Sequence, residues 1–308
     1  MSLLTDSDLM TCIAEGFIAY SQGQALIPPV AGMEFESPPG DIHIKYGYIT
    51  DQPYYVIKIA SGFYDNPRIG KPSSNGVMLL FSRQTGELEA ILHDEGYLTD
   101  VRTAVAGALA ARLLAPEDVH CIGIVGTGTQ ARLQLAYLRT VTSCRNVMVY
   151  GRSERGRTAF QSDLQRKGFN VQVCSALPEL AKRCNLIVTT TTAKEPLLSA
   201  DDILPGTHIT AVGADTPGKQ ELDTRIFSRA SLVVADSKLQ CLERGECANA
   251  VRKGDLQPES VLELGYLLGQ DRPVRHQTDI TVADLTGVAV QDIQIATAIY
   301  QNSKEYSA

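Results

Sequence analysis

The chain has 308 residues, 44% of them apolar, which is enough for one large or two modest domains around a sizeable core. Its net charge is -7, with no broad basic stripe, so nucleic acid is not an expected partner. No apolar run reaches the ~18 residues of a membrane span, and MSLLTDSDLM lacks a basic region followed by an apolar one, so a cytoplasmic protein is expected.

Residues 5 to 22 read as a helix, with Asp6 or Ser7 as candidate caps, Leu9, Ile13 and Phe17 on one face, and Gly23 as the stop. From Gly40 the period changes to two. DIHIKYGYIT sets Ile42, Ile44, Tyr46 and Tyr48 against His43, Lys45 and Gly47, and YYVIKIAS follows as a second strand carrying Lys58. GVMLLFSRQTGELEAILH reads as a hairpin turning at Gln84 to Gly86. The first hundred residues therefore suggest an α+β unit with a largely antiparallel sheet. VRTAVAGALAARLLAPED is an alanine-rich helix ending before Pro116. Strands at 120–126, 146–150, 171–174, 186–192, 208–215 and 231–237 then alternate with helices at 128–140 and 154–168, and VAVQDIQIATAIYQNS closes the chain as a helix. Strand alternating with helix predicts an α/β fold with a Rossmann-type, doubly wound parallel sheet.

IGIVGTGTQAR places Gly126, Gly128 and Ala131 at G-x-G-x-x-A spacing between a strand and a helix. The first glycine permits the tight turn, the second lets backbone approach a pyrophosphate, and the small third residue lets helix pack on strand. Thr129 and Gln130 open that helix and are grouped with the cofactor-binding residues, as are Thr191 in LIVTTTT and Gly287 after DLT. In an NAD site an acid ending the second strand holds a ribose hydroxyl. Here VMVYGRSERGR puts Gly151 at that place, followed by Arg152, Ser153, Arg155 and Arg157. Guanidinium and hydroxyl groups suit a 2′-phosphate, so NADPH is expected, with NADH as second choice. Arg152 and Ser153 lie nearest the strand end, while Arg155 and Arg157 are free to face water. The bland alternative is a solvated, basic helix start.

The seven cysteines (12, 121, 144, 174, 184, 241 and 247) are odd in number and scattered, with no CxxC, so core thiols are expected rather than disulfides. The five histidines show no metal-ligand spacing, and no metal is expected.

DVRTAVAGALAARLLAP, IGIVGTGTQAR, AVGADTPGKQEL and DLTGVAVQDIQIA together resemble the ornithine cyclodeaminase/μ-crystallin family over most of the chain from about residue 20. The resemblance implies a homodimer and a discontinuous α+β substrate-binding and dimerisation domain, 1–116 with 287–308, beside a dinucleotide-binding domain, 117–286. It implies that Lys58 and Arg102 bind a substrate carboxylate, that Asp215 is catalytic, with Lys58 also counted so, and that Thr103 reaches a cofactor phosphate. Each has a plainer reading: a snorkelling strand lysine, a surface arginine at a helix start, and an aspartate opening a turn before proline.

Two places depart from the family pattern. Val30 stands where many members carry an arginine, and His43 stands where ornithine cyclodeaminase carries a glutamate. Lys45, on the same strand face as His43, could replace the missing charge, and both are pocket candidates. The departures and the arginine-rich strand end favour NADPH-dependent reduction of a cyclic imino acid, Δ1-pyrroline-2-carboxylate or its six-membered analogue. NAD-dependent ornithine cyclodeamination is the alternative. Alanine dehydrogenase and a non-catalytic, μ-crystallin-like ligand binder stand behind these two.

Overall fold

A computed structural model describes residues 4–63, 65–270 and 275–307, with the side chains of the last helix described to residue 304. The elements are α1 (Asp6–Ser21), β1 (Ala25–Leu26), β2 (Ala31–Glu36), β3 (Pro39–Ile49), β4 (Tyr54–Phe63), β5 (Ser74–Ser82), β6 (Leu88–Leu92) and α2 (Tyr97–Leu114). There follow β7 (Ile122–Val125), α3 (Thr129–Leu138), β8 (Asn146–Tyr150), α4 (Glu154–Arg166), β9 (Asn170–Val173), α5 (Leu177–Arg183), β10 (Leu186–Thr189) and β11 (His208–Ala211). The chain ends with α6 (Arg225–Arg229), β12 (Leu232–Ala235), α7 (Lys238–Glu243), α8 (Glu246–Lys253), β13 (Val261–Glu263), α9 (Leu264–Leu268), β14 (Thr281–Asp284) and α10 (Ala289–Ser307). It divides into two compact units, Met1–Thr103 with Val288–Ala308, and Ala104–Gly287.

In the first unit an antiparallel sheet runs in the order β1-β3-β4-β5-β6, with β2 also paired to β3. α1 buries Leu9, Ile13 and Phe17 against α10, as their four-residue spacing requires. Its cap is Thr5, not Asp6 or Ser7. Thr5 Oγ1 accepts from the Asp8 N–H, and Asp8 accepts from the Thr5 N–H in return. An acid three residues into the helix makes Thr5 the better start. Gly23 ends the helix at φ +72°. The strand β2 is an addition to the sequence reading. All its residues are exposed, so it has no buried face to impose a strong pattern, and prolines flank it.

In the second unit eight parallel strands lie in the order β13-β12-β14-β11-β10-β7-β8-β9. β7, β8 and β9 run outward in one direction, and β10 and β11 in the other, so the order reverses between β7 and β10. Ligands of such sheets bind at the carboxyl ends of the strands at that reversal. β7, β10, β11 and β14 are buried at every position. β7 and β10 therefore read as near-continuous apolar runs, while β11 and β14 also bury His208, Thr210, Thr281 and Asp284, which are hydrogen-bonded. β13 and β14 are strands the sequence reading lacked; three and four residues are too few for a periodic signal. Five cysteines, 144, 174, 184, 241 and 247, are buried as free thiols.

Candidate active site

Two groups of candidate residues take shape, one in each unit. The first is built on β3 and β4. Lys58 shares a strand face with Val56, and both are buried, at 2% and 1% exposure. Burying an ammonium costs several kcal/mol unless it is paired. Its partner comes from α10: Asp292 Oδ2 lies 2.9 Å from Lys58 Nζ. Asp292 Oδ1 accepts from Arg102 Nε at 2.9 Å, and Gln291 Oε1 accepts from Arg102 Nη1 at 2.7 Å. Arg102 is itself 4% exposed. The resemblance points to Lys58 and Arg102 separately, and the structure brings them together across one carboxylate.

That carboxylate does not cancel the charge. Two cations share it, and Lys45 is registered directly opposite Lys58 on β3. Burial pushes the Lys58 ammonium down to about 7, with Arg102 and Lys45 acting in the same sense against Asp292. Burial works to raise the Asp292 carboxyl, but Arg102 and Lys58 prevail and hold it below the ordinary value. The arrangement retains positive potential and suits an anion. His43, on the same face as Lys45, stands 3.6 Å from Asp41. Val30 is half-buried in the segment between β1 and β2. Thr103 donates its hydroxyl to the Thr99 carbonyl within α2 at 2.8 Å.

The second group surrounds the reversal of the parallel sheet. Gly126 ends β7 at φ +121°, where a side chain would be strained, and an added Cβ would collide with Thr190. Gly128 caps α3, and a Cβ there would meet nothing within 4 Å, so open space lies before the helix N-terminus. Ala131 is fully buried, as close packing of helix on strand requires. Thr129 is exposed and Gln130 half-buried beside it. This cradle fits a pyrophosphate. Arg132 stiffens it, donating to the carbonyls of Thr127 and Gly128 while its other edge holds Asp163 at 3.1 Å.

At the end of β8, Gly151 is buried, and an added Cβ would stand 2.7 Å from Thr127 Cγ2. A side chain at that position would require Thr127 to shift. Arg152 and Arg155 are exposed. Arg157 departs from the reading that left it free to face water: it is half-buried and donates from Nη1 to the Gly151 carbonyl at 2.7 Å. Ser153 caps α4, accepting from the Gly156 N–H at 3.1 Å.

The remaining candidates are held by groups the sequence reading missed. Thr191 is tied to Glu221, whose Oε1 accepts its N–H at 2.6 Å and its hydroxyl at 2.8 Å. Glu221 Oε2 takes the Thr189 hydroxyl at 2.7 Å and the Gly213 N–H at 2.9 Å. The buried Glu246 accepts the N–H groups of Glu221 and Leu222. Burial raises both carboxyls. Gly287, at φ +80°, donates its N–H to Asp236 at 2.6 Å. Asp215 lies on the loop after β11, 43% exposed, with Lys219 Nζ 2.7 Å away. Asp292 in VAVQDIQIA interrupts a mainly apolar helix, and that was the available signal: a charge inside a buried run needs a structural partner. Glu221, among Lys219, Gln220 and Asp223, carries no such signal. Among the described residues no cluster of His, Cys, Asp and Glu could hold a metal ion, and no helix is long and apolar enough to cross a membrane.

With this geometry in place, comparison with known proteins is decisive at the family level. Residues 1–307 match the sequence profile of the ornithine cyclodeaminase/mu-crystallin family. The chain belongs to that family. It is 38% identical over 307 residues to an uncharacterized cyclodeaminase of Sinorhizobium fredii, covering 98% of this chain and 93% of that one. Among solved structures it is similar to an archaeal alanine dehydrogenase dimer with bound NAD, at TM-score 0.91 and 34% identity, covering 100% and 94% of the two chains. It is also similar to the Δ1-pyrroline-2-carboxylate reductase of Thermococcus litoralis in complex with NADH and L-proline, at TM-score 0.92 and 25% identity, covering 99% and 95%.

Proposed function

We propose that the protein is a nicotinamide-dependent oxidoreductase that reduces a cyclic imino acid: Δ1-pyrroline-2-carboxylate to L-proline, or the six-membered analogue to L-pipecolate. The observation that carries this reading is the buried pair Lys58 and Arg102, two cations sharing one carboxylate on a rigid sheet and helix. Such a pair suits an anionic substrate, and a carboxylate offers Arg102 a bidentate partner. The archaeal and Thermococcus structures contain NAD and NADH, which supports a nicotinamide cofactor here.

Gly126, Gly128 and Ala131, with Thr129 and Gln130, would hold the pyrophosphate of that cofactor at the start of α3. Arg152 and Ser153 would face the adenosine ribose. The glycine at 151 in place of an acid, together with the exposed Arg152, favours NADPH over NADH. When bound, the cofactor supplies a hydride.

Lys58 and Arg102 fix the substrate through its carboxylate, with Lys45 adding positive potential from the neighbouring strand. The charge on these groups keeps the carboxylate ionised and orients the C=N bond relative to it. A role for Asp215 in keeping the imine nitrogen protonated rests on the family resemblance; electrostatically, a carboxylate stabilises an iminium and makes its carbon more electrophilic. The first unit is read as the substrate-binding part and as the dimerisation part of a homodimer. The Sinorhizobium relative favours a second reading, cyclodeamination of ornithine on oxidised cofactor.

One experiment separates the two. Purified protein is mixed with Δ1-pyrroline-2-carboxylate and NADPH or NADH, and the nicotinamide absorbance is followed. Rapid loss of the NADPH signal, much slower with NADH, is the expected result. Absence of oxidation, with ornithine converted to proline and ammonia on added NAD⁺, overturns the reductase reading.

A further inference from the structure

Asp292 was not among the residues that motif or resemblance identified, yet among the described residues it is the carboxylate that touches both cations of the proposed substrate site. It is 1% exposed and sits in the first turn of α10. Its two oxygens are divided: Oδ1 holds Arg102 Nε and Oδ2 faces Lys58 Nζ, each at 2.9 Å. The neighbouring Gln291 takes Arg102 Nη1 and is itself fixed by the Val288 N–H at 3.2 Å. α10 therefore holds the guanidinium through Nε and Nη1, and Nη2 takes part in neither contact.

We infer that Asp292 is a positioning residue of the carboxylate site, which holds Lys58 and Arg102 at a fixed spacing while leaving the pair with net positive charge. This inference rests on the reading of Lys58 and Arg102 as carboxylate ligands. Three observations support it. First, Lys58 and Arg102 repel one another, and an unpaired lysine side chain has several freely rotating bonds, so a shared anion is needed to hold the two heads side by side. Second, the anion is shared rather than duplicated, so a substrate carboxylate still finds a cationic site. An ammonium has three donors and a guanidinium five, and the contacts to α10 use only part of them.

Third, Asp292 helps to keep Lys58 charged. The charged groups acting on Lys58 are Arg102 from α2, Lys45 from β3 and Asp292 from α10, and β5 contributes Met78 opposite it. Burial, Arg102 and Lys45 all push the ammonium down, to about 7, and only Asp292 opposes them. A carboxylate ligand needs Lys58 protonated. Removing the Asp292 charge pushes Lys58 further down, so binding at neutral and alkaline pH should weaken and should recover in acid.

The test uses cofactor-saturated protein and calorimetric titration with pyrrole-2-carboxylate, an unreactive planar carboxylate, from pH 6 to 9. Wild type should bind, and its affinity should fall as pH rises past about 7. Asp292→Asn should bind ~30-fold more weakly or worse at pH 8, with the fall moved to lower pH and part of the affinity restored at pH 6. Asp292→Glu keeps the charge but moves it by one methylene. It should be weaker at every pH with the wild-type pH profile retained. Thermal melts establish that each variant is folded. An Asn variant with wild-type affinity and profile overturns the inference, as does an equal, pH-independent loss in both variants, which is what a purely structural role gives. If the Asn variant fails to fold, the Glu variant decides: unchanged affinity overturns the inference. Carboxylate binding with this pH dependence but no NADPH oxidation on any cyclic imine supports the role of Asp292 and sinks the reductase reading. Imine reduction that is indifferent to Asp292→Asn does the reverse.

Discussion

The two cationic regions of the molecule solve opposite problems. Lys58 and Arg102 are buried, so their charges must be partnered, and Asp292 and Gln291 on α10 do this. Arg152 and Arg155 stand in water at the start of α4, where a charge needs no protein partner and can wait for a ligand. The difference teaches where an anion site can be precise. A buried pair has a fixed geometry but depends on a counter-ion delivered from a distant part of the chain. An exposed arginine cluster depends on nothing distant but is poorly preorganised. A small carboxylate needs the first kind of site; a 2′-phosphate at the edge of a cofactor can be distinguished by the second.

The comparison breaks most easily at Arg102. Arg102→Ala removes one cation and leaves Asp292 with Lys58 alone. kcat/KM for the imino acid should fall on the order of a hundredfold or more, chiefly through KM, in steady-state kinetics at saturating NADPH. KM for NADPH should stay near wild type. Unchanged imino acid kinetics would mean that the buried pair serves the fold rather than the substrate.

On the exposed side the effect should be smaller and confined to the cofactor. Arg152→Ala removes one charged contact, for which about tenfold in the NADPH KM is the expected loss. The NADH value and the imino acid KM should be unaffected, because NADH carries no 2′-phosphate. Raised salt should mimic the substitution, since exposed charges are screened far more than buried ones. Equal losses with both cofactors would show that Arg152 supports α4 rather than reading the phosphate.

The same division explains what the sequence made legible. The parallel sheet could be read because central strands such as β7 and β10 are buried on both sides and hence largely apolar. The glycine turn could be read because Gly126 and Ala131 are dictated by local geometry. The arginines after Tyr150 fall within six residues, 152 to 157, so they too were visible. β2 escaped because every residue in it is exposed. Asp292, Glu221 and Glu246 escaped because their roles depend on partners far along the chain; Asp292 and Lys58 are separated by more than two hundred residues. Lys58 held the clue. A lysine on the same face as Val56 in a covered strand implies a buried acid somewhere, though not which one. Arg157 was misjudged because proximity to other arginines does not reveal a bond back to the Gly151 carbonyl.

The smallest expected effect lies at Ser153, where capping and phosphate recognition coincide. Its oxygen accepts from the Gly156 N–H, and its own proton is available to donate elsewhere. Ser153→Ala loses both functions. The lost cap should cost ~1 kcal/mol, a fall of about 1–2 °C in Tm for a chain of this size. The lost donor should raise the NADPH KM about threefold, at the lower end for a single hydrogen bond, with NADH unaltered. Ser153→Asn separates the two functions: asparagine caps as well as serine, so Tm should return, and its amide can donate, so part of the NADPH preference should return with it. A variant in which Tm falls while the cofactor preference stays put would assign Ser153 to the helix alone. The exposed cluster would then read the phosphate through its guanidinium groups only, which sharpens its contrast with the buried site, where each cation is held by a named partner.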